Sequence, residues 1–544
     1  MGEFDVCIRG ALVVDGSGDQ QARRTDIGIS GEEIVAVGEG LRARRVVEAA
    51  GLVAAPGFMD AHSHSDLSIL SDPQASRKLA QGVTFELLGQ DGLSVAPVLP
   101  ESATDRASRM RGLLGTYSPW TWSTIEEYFA AIAAARPAHD VGYLVPHGAV
   151  REAVLGMSTR HATEDELVRM RAVLADGLAS GGFGLSTGLV YPPCTYANDR
   201  ELRELCEEAA AFGRPIVVHL RSEGAKLLEA VEEMLSLSRR TGVALHISHL
   251  KVSGPGNWHL ATRLVETLLQ AAEEGIRLSA DLYPYTEGST LLTALVPPWV
   301  HEGGAEAACA RMKDAATRAK ILEAMVGAQA DTWDNPWTRV GPDRIVLAAH
   351  PLAEHQALLG KTLTEAARAL SRTPADFVLD RLVDGAFAGS IILHSQSEAV
   401  MESLLRDLPF VSLCTDGLVT GGKPHPRGAG AFARVLGRLV RERKVLTLEE
   451  AVHRMSGLPA RTFTLERQGL LQPGHRANVV LFDPDVVADR ATFEEPLARP
   501  VGVPFVMVGG RVVVENGEVT GERPGVVQRA PVELPQVPSV RPQA

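Results

Sequence analysis

Apolar, strand-like runs alternate with amphipathic helical segments through the middle of the chain. The segments between the runs, such as Glu164–Ser180 and Asn198–Phe212, repeat apolar residues at helical spacing. This alternation is typical of βα units on a parallel sheet. We place eight runs, at Val53–His64, Thr84–Gln90, Gly142–His147, Gly182–Leu189, Pro215–Leu220, Val243–Leu250, Arg277–Tyr283 and Phe410–Asp416. Eight units predict an α/β fold, a closed (β/α)8 barrel of the TIM type.

Both ends of the chain are predicted to be β-rich. Short segments broken by glycines occupy residues 4–54, and three more strands are expected at Ala477–Phe482, Val503–Val508 and Gly510–Glu515. Their spacing, with a Gly509-Gly510 turn, is typical of hairpins. We therefore expect residues 1–55 and 456–522 to build one small β-sandwich, and residues 56–455 to form the barrel.

One connection in the predicted barrel is much longer than the others. The seventh and eighth strands are separated by a span with helical segments and a Trp/Pro-rich patch, an insertion at about residues 286–408. An insertion on the top face of a barrel could form a lid or a wall of a substrate pocket. Residues 523–544, rich in Pro, Val and Gln, are predicted to form a C-terminal arm.

Composition and charge narrow the class of protein. The chain has 544 residues, 45% of them hydrophobic, which is enough for a large core. Its net charge of −13 argues against a nucleic-acid partner. No run approaches the ~20 apolar residues of a membrane span. The five cysteines are scattered, without a CxxC pair, as in a reducing compartment. We expect a soluble cytoplasmic protein with a small-molecule substrate, and leave a homo-oligomer open.

Polar residues gather where the predicted strands end. His62 and His64 end the first run and lie two apart, so that on an extended strand they point the same way. The later runs add four more candidates, which are Asp91, His219, His249 and Asp416. Active sites of this fold lie at the carboxyl ends of the strands. These side chains are therefore expected to converge on one mouth.

Each of these residues also has an ordinary structural explanation. A His-x-His pair could be solvated, Asp91 could cap an Asp-Gly turn, and Asp416 could cap a helix. The joint pattern is more specific than its parts. A zinc-like ion needs three or four N or O ligands, and two ions that share a carboxylate would use the whole set.

At this point the sequence resembles the amidohydrolase superfamily, and within it the N-acyl-D-amino-acid deacylases (D-aminoacylases). The resemblance covers nearly the whole chain. It rests on PGFMDAHSHSD (56–66), GQDGLSVAP (89–97), GFGLSTGLVYPP (182–193), HLRSEG (219–224), SHLK (248–251), DLYPY (281–285), TDG (415–417), HPRGAGAF (425–432) and PGHRANVVLFDP (473–484). It implies metal-dependent hydrolysis of N-acyl-D-amino acids, with one or two zinc or other divalent ions held by His62, His64, Asp91, His219 and His249.

The chain departs from the family pattern after the second strand. The family usually has Gly-Asn-Cys-Gly there, with the cysteine as a metal ligand, whereas this chain has Gly-Gln-Asp-Gly with Asp91. A carboxylate is a harder ligand than a thiolate, and it can bridge two ions. Another superfamily arrangement uses a carboxylated lysine from strand three or four, but no lysine lies between Lys78 and Lys226. Asp91 is thus the candidate for a bridging role.

The resemblance also assigns catalytic and substrate-binding roles. Asp416 is expected to accept the proton of the attacking water and to deliver it to the departing amine. The α-carboxylate of the substrate is expected to be held by Lys251, Tyr191, Tyr283 and Arg427. Solvated charge for Lys251 and Arg427, or core packing for the tyrosines, are the alternatives.

The substrate side chain and the outer residues of the site are predicted less directly. The segment Ser289–Trp299 carries no basic residue, which favours apolar or neutral D-amino acids. Arg221 and Glu223 could form a pair that orients the metal ligands. Two other functions stay open, a cyclic-amide hydrolase (hydantoinase- or dihydropyrimidinase-like) and a non-catalytic barrel used for binding.

Overall fold

The apolar runs of the middle of the chain close into a barrel of parallel strands in a computed structural model, which describes residues 3–327, 333–418 and 421–531. Strand three is interrupted at Leu144, and each strand pairs in parallel with the next. The barrel strands, numbered one to eight, are Phe58–Asp60, Val83–Leu88, Asp140–Tyr143 with Val145–Pro146, Leu185–Gly188, Ile216–His219, Leu245–Ile247, Leu278–Leu282 and Val411–Leu413. The predicted (β/α)8 barrel is confirmed.

Strands one and eight close the barrel just beyond their ends. Ser63 and Gly417 form a parallel bridge, and the amide of Asp416 donates to the carbonyl of His62 at 2.8 Å. The closure therefore places the residues that follow strand one beside those that follow strand eight.

Amphipathic helices surround the barrel. In Glu164–Ala179 a capping box between Thr163 and Glu166 begins the helix, and Leu167, Met170, Leu174 and Leu178 form its buried face. The helices of this part of the chain are Ser68–Ser71, Ser76–Leu79, Ala103–Leu114, Ile125–Ala135, His147–Leu155, Glu164–Ala179, Asp199–Ala211, Leu227–Thr241, Ala261–Glu273, Glu398–Asp407, Arg427–Arg434, Leu448–Met455 and Gly457–Thr462.

The two chain ends share one sheet. Its strands are Phe4–Val13, Arg23–Ser30, Glu33–Gly38, Ala43–Glu48, Val53–Pro56, Val479–Phe482, Phe505–Val508, Arg511–Glu515 and Glu518–Val519. Val480 pairs with Ala55, which joins the amino-terminal and carboxyl-terminal strands. Ile27, Leu481 and Phe505 share a buried core, so that both ends build one small β unit as predicted.

The predicted run Val53–His64 divides between the two sheets. Val53–Pro56 pairs with Val479–Phe482, and Phe58–Asp60 belongs to the barrel. Gly57 lies between them, and a β-carbon at this position would overlap the side chain of Thr84. A single apolar run cannot reveal this division, because both parts are buried β-strand.

The insertion after strand seven is a small unit with its own core. Its strands Glu287–Leu291, Ile345–Ala349 and Ser390–His394 form an antiparallel sheet. Its helices are Gly304–Lys313, Ala315–Val326, Pro336–Arg339, Leu363–Ala369 and Pro374–Asp384. The insertion packs on the barrel through a close contact between the backbones of Gly112 and Gly389. A β-carbon on Gly112 would overlap the carbonyl oxygen of Gly389.

The start of the predicted C-terminal arm runs along strand three. The amide of Val141 donates to the carbonyl of Val526 at 3.0 Å, and the amide of Gln528 donates to the carbonyl of Val141 at 2.8 Å. The remaining part of that prediction, residues 532–544, lies outside the described residues. Every helix within the described ranges is too short or too polar to span a membrane.

Candidate metal centre

Strand one and strand eight bring three of the predicted residues together. His62 and His64 follow strand one on the same side, with ring centroids 5.3 Å apart. The carboxylate of Asp416 lies against both rings, with its Oδ1 3.3 Å from His64 Nε2 and 3.7 Å from His62 Nε2. We call these three residues the first cluster.

Strands five and six supply a second pair of imidazoles. His219 ends strand five and His249 follows strand six, with His219 Nδ1 2.8 Å from His249 Nε2. Burial lowers the pKa of His219 to about 3, so its ring is neutral and keeps a lone pair for a ligand.

Asp91 lies between the first cluster and this second pair. Its Oδ2 faces His62 Nε2 at 3.8 Å and His64 Nε2 at 3.7 Å. Its Oδ1 faces the other way, 3.6 Å from His249 Nε2. One carboxylate thus offers one oxygen to each group, which is the arrangement that a bridging ligand needs.

Three of these residues hold an unusual backbone conformation. Asp91 has φ 57°, His249 has φ 35° and Asp416 has φ 46°, in the left-handed region that non-glycine residues seldom adopt. Such conformations cost on the order of 1–3 kcal/mol each and persist only where the surroundings enforce them. Their concentration at one mouth points to a functional site.

Several polar atoms of the centre lack a hydrogen-bond partner among the described residues. They are both ring nitrogens of His62, Nδ1 of His64 and Oδ1 of Asp91, all buried. Burial of polar atoms without partners is costly. Ligands of a tetrahedral zinc ion lie about 3.3 Å from one another, given bonds of about 2.0–2.1 Å. The separations of 3.3–3.8 Å within the first cluster and to Asp91 therefore suit a metal ion.

The electrostatics of the centre also favour a bound cation. Burial would lower the pKa of His62, but the charges of Asp281, Asp91 and Asp416 raise it well above its ordinary value. Burial would raise the pKa of Asp91, but His62 and His249 hold it well below its usual range. Ionised carboxylates thus surround the imidazole of His62, and a bound divalent cation would balance their charge in place of its proton.

Asp416 is paired with a buried arginine. Arg427, fully buried, places Nη1 2.8 Å from Asp416 Oδ2. Burial would raise the pKa of Asp416, but the charges of Arg427 and His62 lower it below its usual range. Asp416 is therefore ionised at neutral pH and can accept a proton.

The predicted substrate residues line one cavity with the centre. This cavity, of about 910 Å³, is bordered by His64, Asp91, His219, His249 and Asp416, and also by Lys251, Tyr191, Tyr283 and Arg427. The hydroxyl of Tyr191 lies 2.7 Å from Thr290 Oγ1, and that of Tyr283 accepts from Gln396 Nε2 at 2.8 Å. The guanidinium of Arg427 stacks over the Tyr283 ring, 4.4 Å from its centre.

Glu223 lies much closer to the metal ligands than sequence reasoning indicated. Its Oε1 is 2.5 Å from Lys251 Nζ and 3.2 Å from His249 Nδ1. The predicted pairing of Arg221 with Glu223 is wrong, because Arg221 binds Glu233 at 3.0 Å. Glu223 follows His219 by four residues, which was the sequence signal for its place near the site. Beyond the end of a strand, however, spacing does not fix the direction of a side chain.

Asp281 was also missed as a residue of the site. At the end of strand seven its Oδ1 accepts from the amide of His249 at 2.6 Å, and its Oδ2 lies 2.8 Å from His246 Nε2. It thus holds the backbone of His249 in place. Its position in the DLYPY segment, at a strand end, was the signal that could have found it.

A (β/α)8 barrel with four histidines and two aspartates at its mouth defines the metal-dependent hydrolase class of this fold. The chain belongs to the amidohydrolase family, whose family model matches residues 45–514.

Similar proteins include enzymes with named substrates. An N-acyl-D-glutamate deacylase of Alcaligenes xylosoxydans xylosoxydans is 34% identical over 98% of this chain and 99% of its own length. The crystal structure of N-acyl-D-glutamate deacylase from Bordetella bronchiseptica, with zinc and a phosphonate mimic of the tetrahedral intermediate, has a TM-score of 0.83. It is 33% identical and covers 97% of this chain and 100% of that one. A D-aminoacylase structure described by its binuclear metal centre, with one-metal activation and second-metal attenuation, has a TM-score of 0.81. It is 31% identical and covers the same shares.

Proposed function

We propose that this protein hydrolyses the amide bond of N-acyl-D-amino acids, giving a carboxylate and a free D-amino acid. The observation that carries the proposal is the position of Asp91, which offers one oxygen to His62 and His64 and the other oxygen to His249. The named relatives, alike along nearly the whole chain, support the same reaction.

We propose zinc as the metal, held by His62, His64, Asp91, His219 and His249, with Asp416 beside His62 and His64. Glu223 completes a further possible ligand group with His219 and His249. When bound, zinc lowers the pKa of a water molecule and polarises the carbonyl oxygen of the substrate. The hard Asp91 oxygen in place of a thiolate also admits other divalent metals.

Asp416 is the proposed general base and acid. It is ionised, and it faces the cavity between His64 and Arg427. It accepts a proton from water as the amide carbon is attacked, and then delivers that proton to the departing amine nitrogen. An unprotonated amine is a poor leaving group, so the second transfer is required for bond cleavage.

The substrate carboxylate has a proposed binding site on the same wall of the cavity. Arg427 has an unpartnered Nε, and Lys251 can donate from its ammonium group beyond its bond to Glu223. Tyr191 and Tyr283 present hydroxyl groups to the same cavity. With the carboxylate and the amide both fixed, only one configuration of the α-carbon directs the side chain into free space, which gives selectivity for the D-enantiomer.

Apolar or neutral side chains suit the remaining wall. That wall includes Leu93, Val190, Ala294 and Pro298. The cavity is also lined by Lys226, and by Arg221 and Arg339, which pair with Glu233 and Asp334. In the smaller cavity that adjoins it, Arg109 is held by Asp105 and Glu152, each at 2.7 Å. Burial lowers the pKa of His301, in the same cavity, to about 3, so that it is uncharged. Arg109 is therefore balanced by carboxylates and His301 is uncharged, so that neither favours an acidic substrate side chain.

The cellular setting follows from charge and cysteine usage. All five cysteines are free thiols, as expected in a reducing cytoplasm. The net charge of −13 disfavours nucleic acid as a partner. We propose a cytoplasmic enzyme, with a homo-oligomer as an open possibility.

The test pairs metal analysis with enantiomeric substrates. We expect the purified protein to contain zinc and to hydrolyse N-acetyl-D-leucine at least a hundredfold faster, as kcat/KM, than N-acetyl-L-leucine. N-acetyl-D-glutamate should be the poorer D-substrate, and hydantoin should not be opened. Bound metal with ring opening only would replace the proposal by a cyclic-amide hydrolase. Absence of both metal and turnover would leave a non-catalytic barrel.

A further inference from the structure

A buried ion cluster lies behind the first cluster and is not part of the proposed reaction. Lys78, in the short helix Ser76–Leu79, is 4% exposed. Its ammonium group lies 2.5 Å from Asp60 Oδ2 and 2.7 Å from Glu86 Oε1. It also donates to Ser63 Oγ and to Thr415 Oγ1, each at 2.9 Å.

The cluster holds the residues that alternate with the metal ligands after strand one. Successive side chains of an extended segment point to opposite sides. His62 and His64 point towards Asp91 and Asp416, whereas Ser63 and Ser65 donate to Glu86 Oε1 at 2.5 and 2.8 Å. The direction of both imidazoles is thus set by bonds on the opposite side of the same segment.

The same cluster fixes the residue before Asp416. Asp60 Oδ1 accepts from the Thr415 amide at 2.8 Å, and Asp60 Oδ2 accepts from the Thr415 hydroxyl at 2.5 Å. The Gly417 amide in turn donates to Thr415 Oγ1 at 3.0 Å. Hydrogen bonds therefore fix both neighbours of Asp416, Thr415 and Gly417. These bonds help to hold Asp416 in its left-handed backbone conformation.

We propose that Lys78 is a positioning residue that fixes His62, His64 and Asp416 relative to one another. This role rests on the proposed metal centre. A buried ion cluster seldom adds stability over apolar residues of the same size, so its contribution here is the geometry that it specifies. Lys78 adds a side-chain link between the segment after strand one and the segment after strand eight, through Ser63 and Thr415, beside the backbone bonds that close the barrel.

The first experiment compares the zinc affinity of Lys78→Met with that of the wild type by competition with a chelator. Two reference variants, His64→Asn and His249→Asn, identify the ion of each histidine pair. His64→Asn is expected to lose one zinc ion. We expect Lys78→Met to lower the affinity for that same ion by about 10–100-fold. The ion that depends on His249 should keep its affinity, and kcat for N-acetyl-D-leucine should fall more than KM rises.

Two further variants separate positioning from stability. Thr415→Val removes one hydroxyl without leaving a buried charge alone. We expect it to lower the affinity for the ion that depends on His64, by a smaller factor than Lys78→Met. Arg476 binds Asp140 at 3.0 Å, and neither residue lines the cavity. Arg476→Met should therefore lower the melting temperature without lowering the zinc affinity. Lys78→Met with wild-type zinc affinity, or with a loss equal for both ions, would overturn the proposal. A wild type that binds zinc but hydrolyses no N-acyl-D-amino acid would reject the proposed function, while the zinc affinities would still test Lys78.

Discussion

Asp416 combines three relations that no single motif contains. It lies 3.3 Å from His64 Nε2, it is paired with Arg427, and its backbone is left-handed. The first relation makes it a neighbour of the proposed ion, the second keeps it ionised, and the third aims it at the cavity. A residue in this position can move a proton between water and amine without leaving its place.

Replacement of Asp416 by Asn should separate proton transfer from metal binding. The amide keeps one oxygen towards His64 but cannot accept the proton, so we expect kcat/KM to fall by about a thousandfold. Zinc content should stay near that of the wild type. The measurements are steady-state kinetics and metal analysis of the same preparation, with His64→Asn as the variant that loses metal. Equal loss of zinc and activity in the Asp416 variant would make it chiefly a ligand.

At the residue scale, the sequence could predict which side chains lie together where spacing alone fixes their direction. His62 and His64 were found because two residues apart on a strand point alike, and His219 because it ends an apolar run. Lys78 was missed, and Glu223 was given the wrong partner, because their positions depend on the paths of a helix and a loop. The ion pair of Arg427 with Asp416 could not be predicted from the sequence either, because a loop separates the two residues.

At the scale of elements, the insertion matters because its residues complete the cavity. Trp333, Asn335 and Arg339 of the insertion line the cavity together with the metal ligands. The insertion is anchored on the barrel helix Ala103–Leu114, where Gly112 meets Gly389. Leu113, the next residue of that helix, lines the cavity directly. A shift at this anchor is therefore expected to change the cavity.

Substitution of Gly112 by Ala should move the insertion without touching the metal. The added methyl group would overlap the Gly389 carbonyl, and overpacking of this kind costs about 1–3 kcal/mol. We expect a lower melting temperature and a raised KM, with zinc content unchanged. Gly38→Ala is the matched control, because a β-carbon there meets nothing within 4 Å. Identical behaviour of the two variants would show that the anchor does not shape the cavity.

The barrel strands could be predicted from the sequence where one apolar run corresponds to one strand. The run Pro215–Leu220 became strand five, whereas Val53–His64 was shared between two sheets. The insertion was recognised by its length, but its antiparallel sheet was not foreseen, because such pairing depends on contacts between residues far apart in sequence.

At the scale of the molecule, the metal centre joins strands that are distant along the chain. The proposed ligands follow strands one, two, five and six, with Asp416 after strand eight. Without an ion, the carboxylates of Asp91 and Asp416 would repel each other near the barrel axis. Bound metal should therefore stabilise the barrel as a whole.

Removal of zinc should lower the free energy of unfolding. A ligand that binds only the folded state contributes about 2.7 kcal/mol when its free concentration is a hundred times Kd. Chelator-treated protein should unfold at lower denaturant concentration, and added zinc should restore the original midpoint. His64→Asn should show a smaller zinc-dependent shift, which is the control for non-specific binding. An unchanged midpoint after verified removal of the metal would contradict this account.

The closure of the barrel has a consequence for the order of events during synthesis. The bond from the Thr415 amide to Asp60 joins residues 355 positions apart. At about 5–20 residues per second, a ribosome needs on the order of tens of seconds to pass from one to the other. During that interval His62 and His64 have emerged without Asp416 beside them. Strand eight, at Val411–Leu413, is made last among the barrel strands, so that the proposed acid and base joins the histidines only when the barrel closes.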